Sequence, residues 1–268
     1  YCFVCGELTQ GDSNDETTPA RKKRMSNFLT GEIRGLRSRK ITDETCKHFG
    51  YMIGEYKGVP VHIAPYHDAE GNLVAQHLRD ADKNFPWLGA PKDAMPFGWK
   101  NSAKSGKMVC LVEGEIDALA LSQAQGNKWP VWSIGSGAGP QMRKYIAERR
   151  DLFTEFEKVV LMFDNDATGR EAAKVAAQVI GSRAHIAELP LKDASDMLVA
   201  GKTEEMLRAM WSAKPYRPDG LVELSTLKEK VFEGVKHGVP WCLPTLNQWT
   251  YGRRTGEVYA LGAGTGVG

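Results

Sequence analysis

Apolar and polar positions follow two rhythms along this chain, with a change near residue 106. Before it, residues 51–56 and 59–64 are short strand-like runs around Lys57-Gly58, and 73–79 follows Glu70-Gly71-Asn72. Glycine-containing pairs between apolar alternations are hairpin signals. After it the pattern becomes strand, loop, helix, repeated. Residues 107–112 read as a buried strand and 116–125 as a helix; 131–134 and 142–150 repeat the pair, as do 158–163 and 171–180. A fourth strand is expected at 185–189 and a helix at 203–213. Strands that are continuous apolar runs, alternating with helices, predict a parallel sheet covered on both faces.

Further along, 214–220 (KPYRPDG) holds two prolines and a glycine and reads as a linker. Residues 226–237 have helical spacing and stop at Gly238, with Pro240 beyond. Their apolar residues Leu227, Val231 and Val235 recur every four positions, a stripe for packing on a neighbour or back on the same chain. A strand-like run at 257–261 leads into Gly262-Ala263-Gly264-Thr265-Gly266-Val267-Gly268.

Composition narrows the class. With 42% hydrophobic and 25% charged residues, the chain is neither collagenous, mucin-like nor disordered. No apolar run exceeds five residues (108–112 and 159–163), far below the roughly 20 a membrane helix needs. No charged-then-apolar leader is visible. The chain starts at Tyr1 rather than Met and stops inside a glycine-rich stretch, so it is expected to be a piece of something longer.

The net charge of +2 says little, but its distribution says more. Residues 1–20 carry four acids and no Lys or Arg. Residues 21–40 carry eight bases (Arg21, Lys22, Lys23, Arg24, Arg34, Arg37, Arg39, Lys40) against Glu32, a net of +7. Such a block attracts a phosphate backbone, and it is equally a solvated linker. Among five cysteines, Cys110 sits in an apolar run and reads as a small core residue. Cys2 and Cys5 have the Cys-x-x-Cys spacing that zinc ribbons use twice; with one pair present, they read as half a zinc knuckle.

The acids gather at strand ends. The first parallel strand runs into Glu113-Gly114-Glu115-Ile116-Asp117, the third into Asp164-Asn165-Asp166-Ala167-Thr168-Gly169-Arg170, and the fourth into Pro190-Leu191-Lys192-Asp193. In an open α/β sheet, ligands bind at the carboxyl ends of the strands. If those strands are neighbours, Glu113, Asp117, Asp164, Asp166 and Asp193 face one crevice, where hard oxygen ligands suit magnesium or manganese. Acids after a strand are also ordinary helix caps. Gly114 and Gly169 would let the backbone turn sharply beside them.

EGEIDAL (113–119) and FDNDATGR (163–170) resemble the Toprim domain, shared by bacterial-type primases, type IA and II topoisomerases and some nucleases. QHLRDADKNF (76–85), KDASD (192–196), the half zinc site and the terminal glycine-rich loop resemble, in the same order, the bifunctional primase–helicases of short-tailed bacteriophages. The resemblance implies a Toprim-type parallel sheet with helices on both faces. A smaller mixed α+β subdomain and a partial zinc ribbon would precede it. The domain plan is then 1–20 zinc-domain remnant, 21–105 basic subdomain of the RNA polymerase domain, 106–213 Toprim domain, 214–225 linker, and 226–268 start of a helicase domain. It implies metal roles for Asp164, Asp166 and Asp193, with Asp117 close by, and either a general-base or a ligand role for Glu113. Arg79, Lys83, Asn84, Arg170 and Lys192 would face template or nucleotide, and Cys2 and Cys5 would hold zinc in the intact protein. A Lys common in relatives is His77 here.

The implied activity is template-directed synthesis of short RNA primers on single-stranded DNA from ribonucleoside triphosphates. The implied setting is a ring-forming homo-oligomer working with a replicative DNA polymerase in the host bacterial cytoplasm, away from membranes. The rivals are a Toprim nuclease or topoisomerase, and an inactive DNA-binding or assembly module. A Walker loop ends in Gly-Lys-Ser/Thr. No such Lys follows 262–268, so no ATPase activity is expected of this piece.

Overall fold

The structure is a computed structural model and describes residues 28–135, 139, 141–218, 227, 232, 236–260 and 262–266. Cys2, Cys5, the basic residues before 28 and most of 226–237 lie outside the described residues. The chain divides after Tyr216 into two units.

The first unit opens with α1 (Asp43–Phe49), started by Thr42, whose hydroxyl accepts from Thr45 N, and ended by Gly50 at φ 69°. Four antiparallel strands follow in sequential order: β1 (Met52–Tyr56), β2 (Val59–His67), β3 (Leu73–Arg79) and β4 (Trp87–Gly89). The Lys57-Gly58 hairpin joins the first two, as the sequence predicts, with both residues at positive φ.

The second sheet has the order β6-β5-β7-β8-β9. Its strands are β5 (Gly106–Val112), β6 (Val131–Ser133), β7 (Phe156–Leu161), β8 (Ala184–Ile186) and β9 (Lys214–Pro215). The first four pair in parallel, and β9 is an antiparallel edge. Residues Met108 to Val112 of β5 are all buried, alternating between two cores. Met108, Cys110 and Val112 pack with α2 (Glu115–Ala124), α6 (Ala194–Val199) and α7 (Thr203–Trp211); Val109 and Leu111 pack with α3 (Gln141–Glu148), α4 (Arg150–Thr154) and α5 (Ala167–Ile180). Both faces are therefore covered, which is why the strand reads as an unbroken apolar run.

The core on the α2 side also takes in Phe49, Tyr51, Tyr66 and Phe97, joining the antiparallel sheet to the parallel one. Gln123 of α2 strengthens the joint: its side chain accepts from Thr42 N and donates to Lys40 O, both at 2.8 Å. Arg39 reaches across to Ser195 Oγ (3.4 Å) and to Asp196 (3.7 Å) on α6.

Several boundaries differ from expectation. The helix expected over 142–150 is two helices, because Arg149 leaves the helix to donate to the carbonyls of Lys92 and Ala94. Residues 214–220 do not begin as a linker, since Lys214 and Pro215 form the sheet edge, where proline is tolerated. In the second unit, 257–260 form no strand; Arg254 and Glu257 pair at 2.8 Å, and the Tyr259 hydroxyl donates to Gly252 O, closing a turn instead. That unit also holds the helix Pro244–Thr250, whose Asn247 binds the backbone of Trp241 on both sides. Among the described residues, no helix is long and apolar enough to cross a membrane.

Candidate active site

Strands β5, β7 and β8 are immediate neighbours, so their carboxyl-end segments lie side by side. Four of the five acids, all but Asp164, give one oxygen to a backbone amide. Glu113 Oε1 accepts from Asp164 N at 3.1 Å, joining the ends of β5 and β7. Asp166 Oδ1 accepts from Gly169 N (2.8 Å) and caps α5, which starts at Ala167 rather than at 171. Asp193 Oδ1 accepts from Asp196 N (2.7 Å) and caps α6, a helix the periodicity missed. Asp117 Oδ1 accepts from Ser195 N (3.1 Å), tying α2 to α6.

These acids feel one another. Burial, then Asp193, then Asp164 and Glu113, push the Asp117 carboxyl up to about 8. Burial and Asp193 also raise Asp164, against the opposing pull of Lys192. The Lys192 ammonium stands 3.5 Å from Asp164 and is itself raised by that carboxylate. Asp166 is exposed, while Glu113, Asp164 and Asp193 are half-buried. The crevice thus holds clustered carboxylates whose mutual repulsion only Lys192 relieves among the causes acting on Asp164. As they stand, no three His, Cys, Asp or Glu side chains among the described residues converge closely enough to hold a metal ion. The donor chemistry, carboxylate oxygens throughout, is nevertheless that of magnesium or manganese.

The glycines act by close approach rather than by sharp turning. Gly114 is extended (φ −108°), and a Cβ there would meet Asp117 Oδ2 at 2.8 Å. Gly169 is helical, and its Cβ would stand 2.2 Å from Asp164 O. Asn165, between the two aspartates, buckles the loop: its amide N–H donates to Lys192 O (2.6 Å) and its side chain to Leu189 O (2.7 Å). Arg170 Nη1 braces the same residue, donating to Asn165 O (2.9 Å) and Oδ1 (3.1 Å).

The antiparallel sheet reaches this turn through a cluster of which sequence reasoning singled out His77 alone, with no role given to Tyr66 or Glu115. His77 Nδ1 lies 2.5 Å from Glu115 Oε1, and the buried Tyr66 hydroxyl donates to the same oxygen at 2.6 Å. Burial alone would raise the Glu115 carboxyl, but the bonds from His77 and Tyr66 hold it below its usual value. His77 is stacked on Trp87 at 4.1 Å and 12°. Arg79, two residues along β3, shares the face of His77 and packs over the Phe85 ring at 5.5 Å. Lys83 (φ 62°) and Asn84 belong to the β3–β4 turn, where Asn84 binds the Asp80 carboxylate. One signal could have flagged this cluster: the polar pair Gln76-His77 set between Ala75 and Leu78 in the middle of a strand.

Residues 31–89 match the family described as bacteriophage T7 DNA helicase/primase, N-terminal a+b fold, and 110–198 match the Toprim-like family. Across its whole length the chain is 34% identical to the DNA helicase/primase of Enterobacteria phage T3, of which it spans 50%. The chain therefore spans about half the length of that relative. Among solved structures it resembles the primase domains of gp4 in a complex with the bacteriophage T7 lagging-strand DNA polymerase. There the identity is 40% and the TM-score 0.65, covering 71% of this chain and 95% of that one. It also resembles the primase fragment of the T7 primase-helicase protein, at 36% identity and TM-score 0.64, covering 76% of this chain and 83% of that one.

Proposed function

Because this chain belongs to the family of the phage T7 and T3 DNA helicase/primases, we propose that it makes short RNA primers on single-stranded DNA from ribonucleoside triphosphates. The observation that carries the reading is electrostatic: the acids come from three adjacent strand ends, where Asp193, Asp164 and Glu113 raise the Asp117 carboxyl and Asp193 and Asp166 raise that of Asp164. Asp164, Asp166 and Asp193 would hold magnesium or manganese, which when bound neutralises nucleotide phosphates and favours in-line attack by a 3′-hydroxyl on an α-phosphate. Glu113 serves as general base or as a further ligand, and Asp117 sets the field behind it.

This chain's own residues do the rest. Lys192 and Arg170 border the acids and meet triphosphate oxygens. Arg79, Lys83 and Asn84, at the end of β3 and in the turn beyond it, contact template or nucleotide. The Asn165 and Arg170 bonds keep the loop after β7 in place, so charge is presented from a fixed frame. In the longer protein, Cys2 and Cys5 would complete a zinc site that reads the template. The partners proposed are those of the T7 complex, a lagging-strand DNA polymerase interacting with primase domains of two gp4 subunits bound to an RNA/DNA hybrid and dTTP. A ring-forming assembly and a replicative polymerase in the host cytoplasm are the setting proposed here. Single-stranded DNA, ribonucleotides and magnesium or manganese, scored for short RNA against nicked DNA, test the reading. Nicked DNA without RNA would overturn it.

A further inference from the structure

We propose that the exposed ring of Phe85 is a platform on which one unpaired base of the template strand stacks. The inference rests on the primer-synthesis reading and adds to it the group that orients the template. Phe85 is 48% exposed, among the large apolar side chains most open to solvent in the first unit. It is the outer member of a ladder of rings. Trp87 and His77 are stacked at 4.1 Å and 12°, and His77 and Phe85 follow at 5.8 Å and 34°. The inner end is closed by Tyr66, edge-on to Trp87 at 4.8 Å. The outer end has no further ring among the described residues, and a flat aromatic heterocycle continues such a ladder.

The surroundings favour a nucleobase over another apolar group. Arg79 lies over the Phe85 ring at 5.5 Å, which puts a guanidinium beside any base stacked there, within reach of its phosphate. Of the two acids in the turn, Asp80 is turned into the loop, where both its oxygens bind Asn84, and the exposed Asp82 is offset by its neighbour Lys83. Lys83 stands in the same turn. The platform is fixed before any ligand arrives: Leu78 N donates to Pro86 O at 2.9 Å, holding the base of the turn closed. It is also tied to the acidic crevice, because His77 bonds Glu115, two residues after Glu113. A base on Phe85 is thereby registered against the carboxylates through a single imidazole.

The test reads binding and synthesis separately in the full chain. Anisotropy of a labelled single-stranded oligonucleotide gives Kd for wild type, Phe85→Leu, which keeps apolar bulk without a ring, and Phe85→Trp. Leu should weaken binding about tenfold, the size of one lost base–aromatic stack, and Trp should restore it. An abasic position stepped along the oligonucleotide should, at one site, weaken wild type about tenfold and leave Phe85→Leu unmoved. In primer synthesis, Leu should raise the template KM with kcat and the nucleotide KM unchanged. Equal affinity of the Leu variant and wild type, or no such abasic position, overturns the platform. A rise confined to the nucleotide KM overturns it too, by placing the nucleotide's base on the ring. Primers made with no dependence on Phe85 sink the platform and leave the polymerase reading standing. Phe85-dependent binding with no RNA product does the reverse.

Discussion

The Asp166 carboxylate caps α5 through Gly169 N at 2.8 Å while standing in the segment that gathers acids at the end of β7. Cap and ligand are therefore roles of one side chain, and substitution can separate them. Asn retains the acceptor but loses the charge. Asp166→Asn and Asp164→Asn should cut primer synthesis more than about a hundredfold, with fold and DNA binding intact. Asp166→Ala should lose the cap as well, at about 1 kcal/mol in urea denaturation. An Asn variant that still makes primers near the wild-type rate with magnesium would remove these acids from the site.

Gly169→Ala tests the close approach. Alanine in a helix interior ordinarily stabilises by about 1 kcal/mol over glycine. Here the added Cβ would lie 2.2 Å from Asp164 O, a backbone atom that must move. The variant should be destabilised by about 1–3 kcal/mol and lose primer synthesis disproportionately, since Asp164 shifts. A net gain in melting temperature would show the approach is looser than this.

Asp117 gives the metal-free protein a pH signature. Its carboxyl is raised from 3.8 to about 8 in the fold, so the unfolded chain binds fewer protons between those values. Its contribution is full below about 4, falls with rising pH and is lost above about 8. Asp117→Asn keeps the acceptor for Ser195 N and removes this slope. The stability advantage of the variant should therefore grow from pH 5 to pH 8 in chelator. Denaturation curves differing by a constant amount across that range would contradict the assignment. Asp164, raised in the same sense, leaves a smaller residual slope in both proteins.

His77→Ala should cost more than the loss of one hydrogen bond. It strands the Glu115 carboxylate, whose side chain is only 15% exposed, with Tyr66 as its remaining bond of the pair. Leaving a buried group short of a hydrogen-bond partner costs about 1–3 kcal/mol, and more where that group is a carboxylate. Glu115→Gln, which removes the charge instead, should be milder, and the double variant should cost less than the two singles together. Additive costs in chemical denaturation would mean the two residues do not act as a pair.

The parallel sheet was legible because burial on both faces writes itself as unbroken apolar runs, as at 108–112. The acids were legible because they follow those runs directly. What stayed hidden lay in side-chain-to-backbone bonds that leave no periodicity. Asp193 starts a six-residue helix too short to show a stripe, and Asn165 fastens the loop through bonds to Leu189 and Lys192, distant in sequence. Arg149 broke a helix the pattern ran through, because the carbonyls it serves belong to residues 92 and 94. The role expected of Gly169 was right in place and wrong in cause: its helical backbone needs no special dihedral, only the absence of a Cβ.

Two thiols are sealed in the core that joins the sheets: Cys46 on α1, raised to about 11, and Cys110 on β5, raised to about 12. Neither forms appreciable thiolate at neutral pH while folded, so neither is a ready nucleophile. Their alkylation consequently becomes a clock for opening motions. If Cys46 is labelled faster than Cys110 under native conditions, the antiparallel sheet lifts away while the Toprim-like sheet stays shut, and template could enter through that breathing. If both are labelled at one rate, the two sheets open as a single cooperative body, and the acidic strand ends are held as rigidly as the core beneath them.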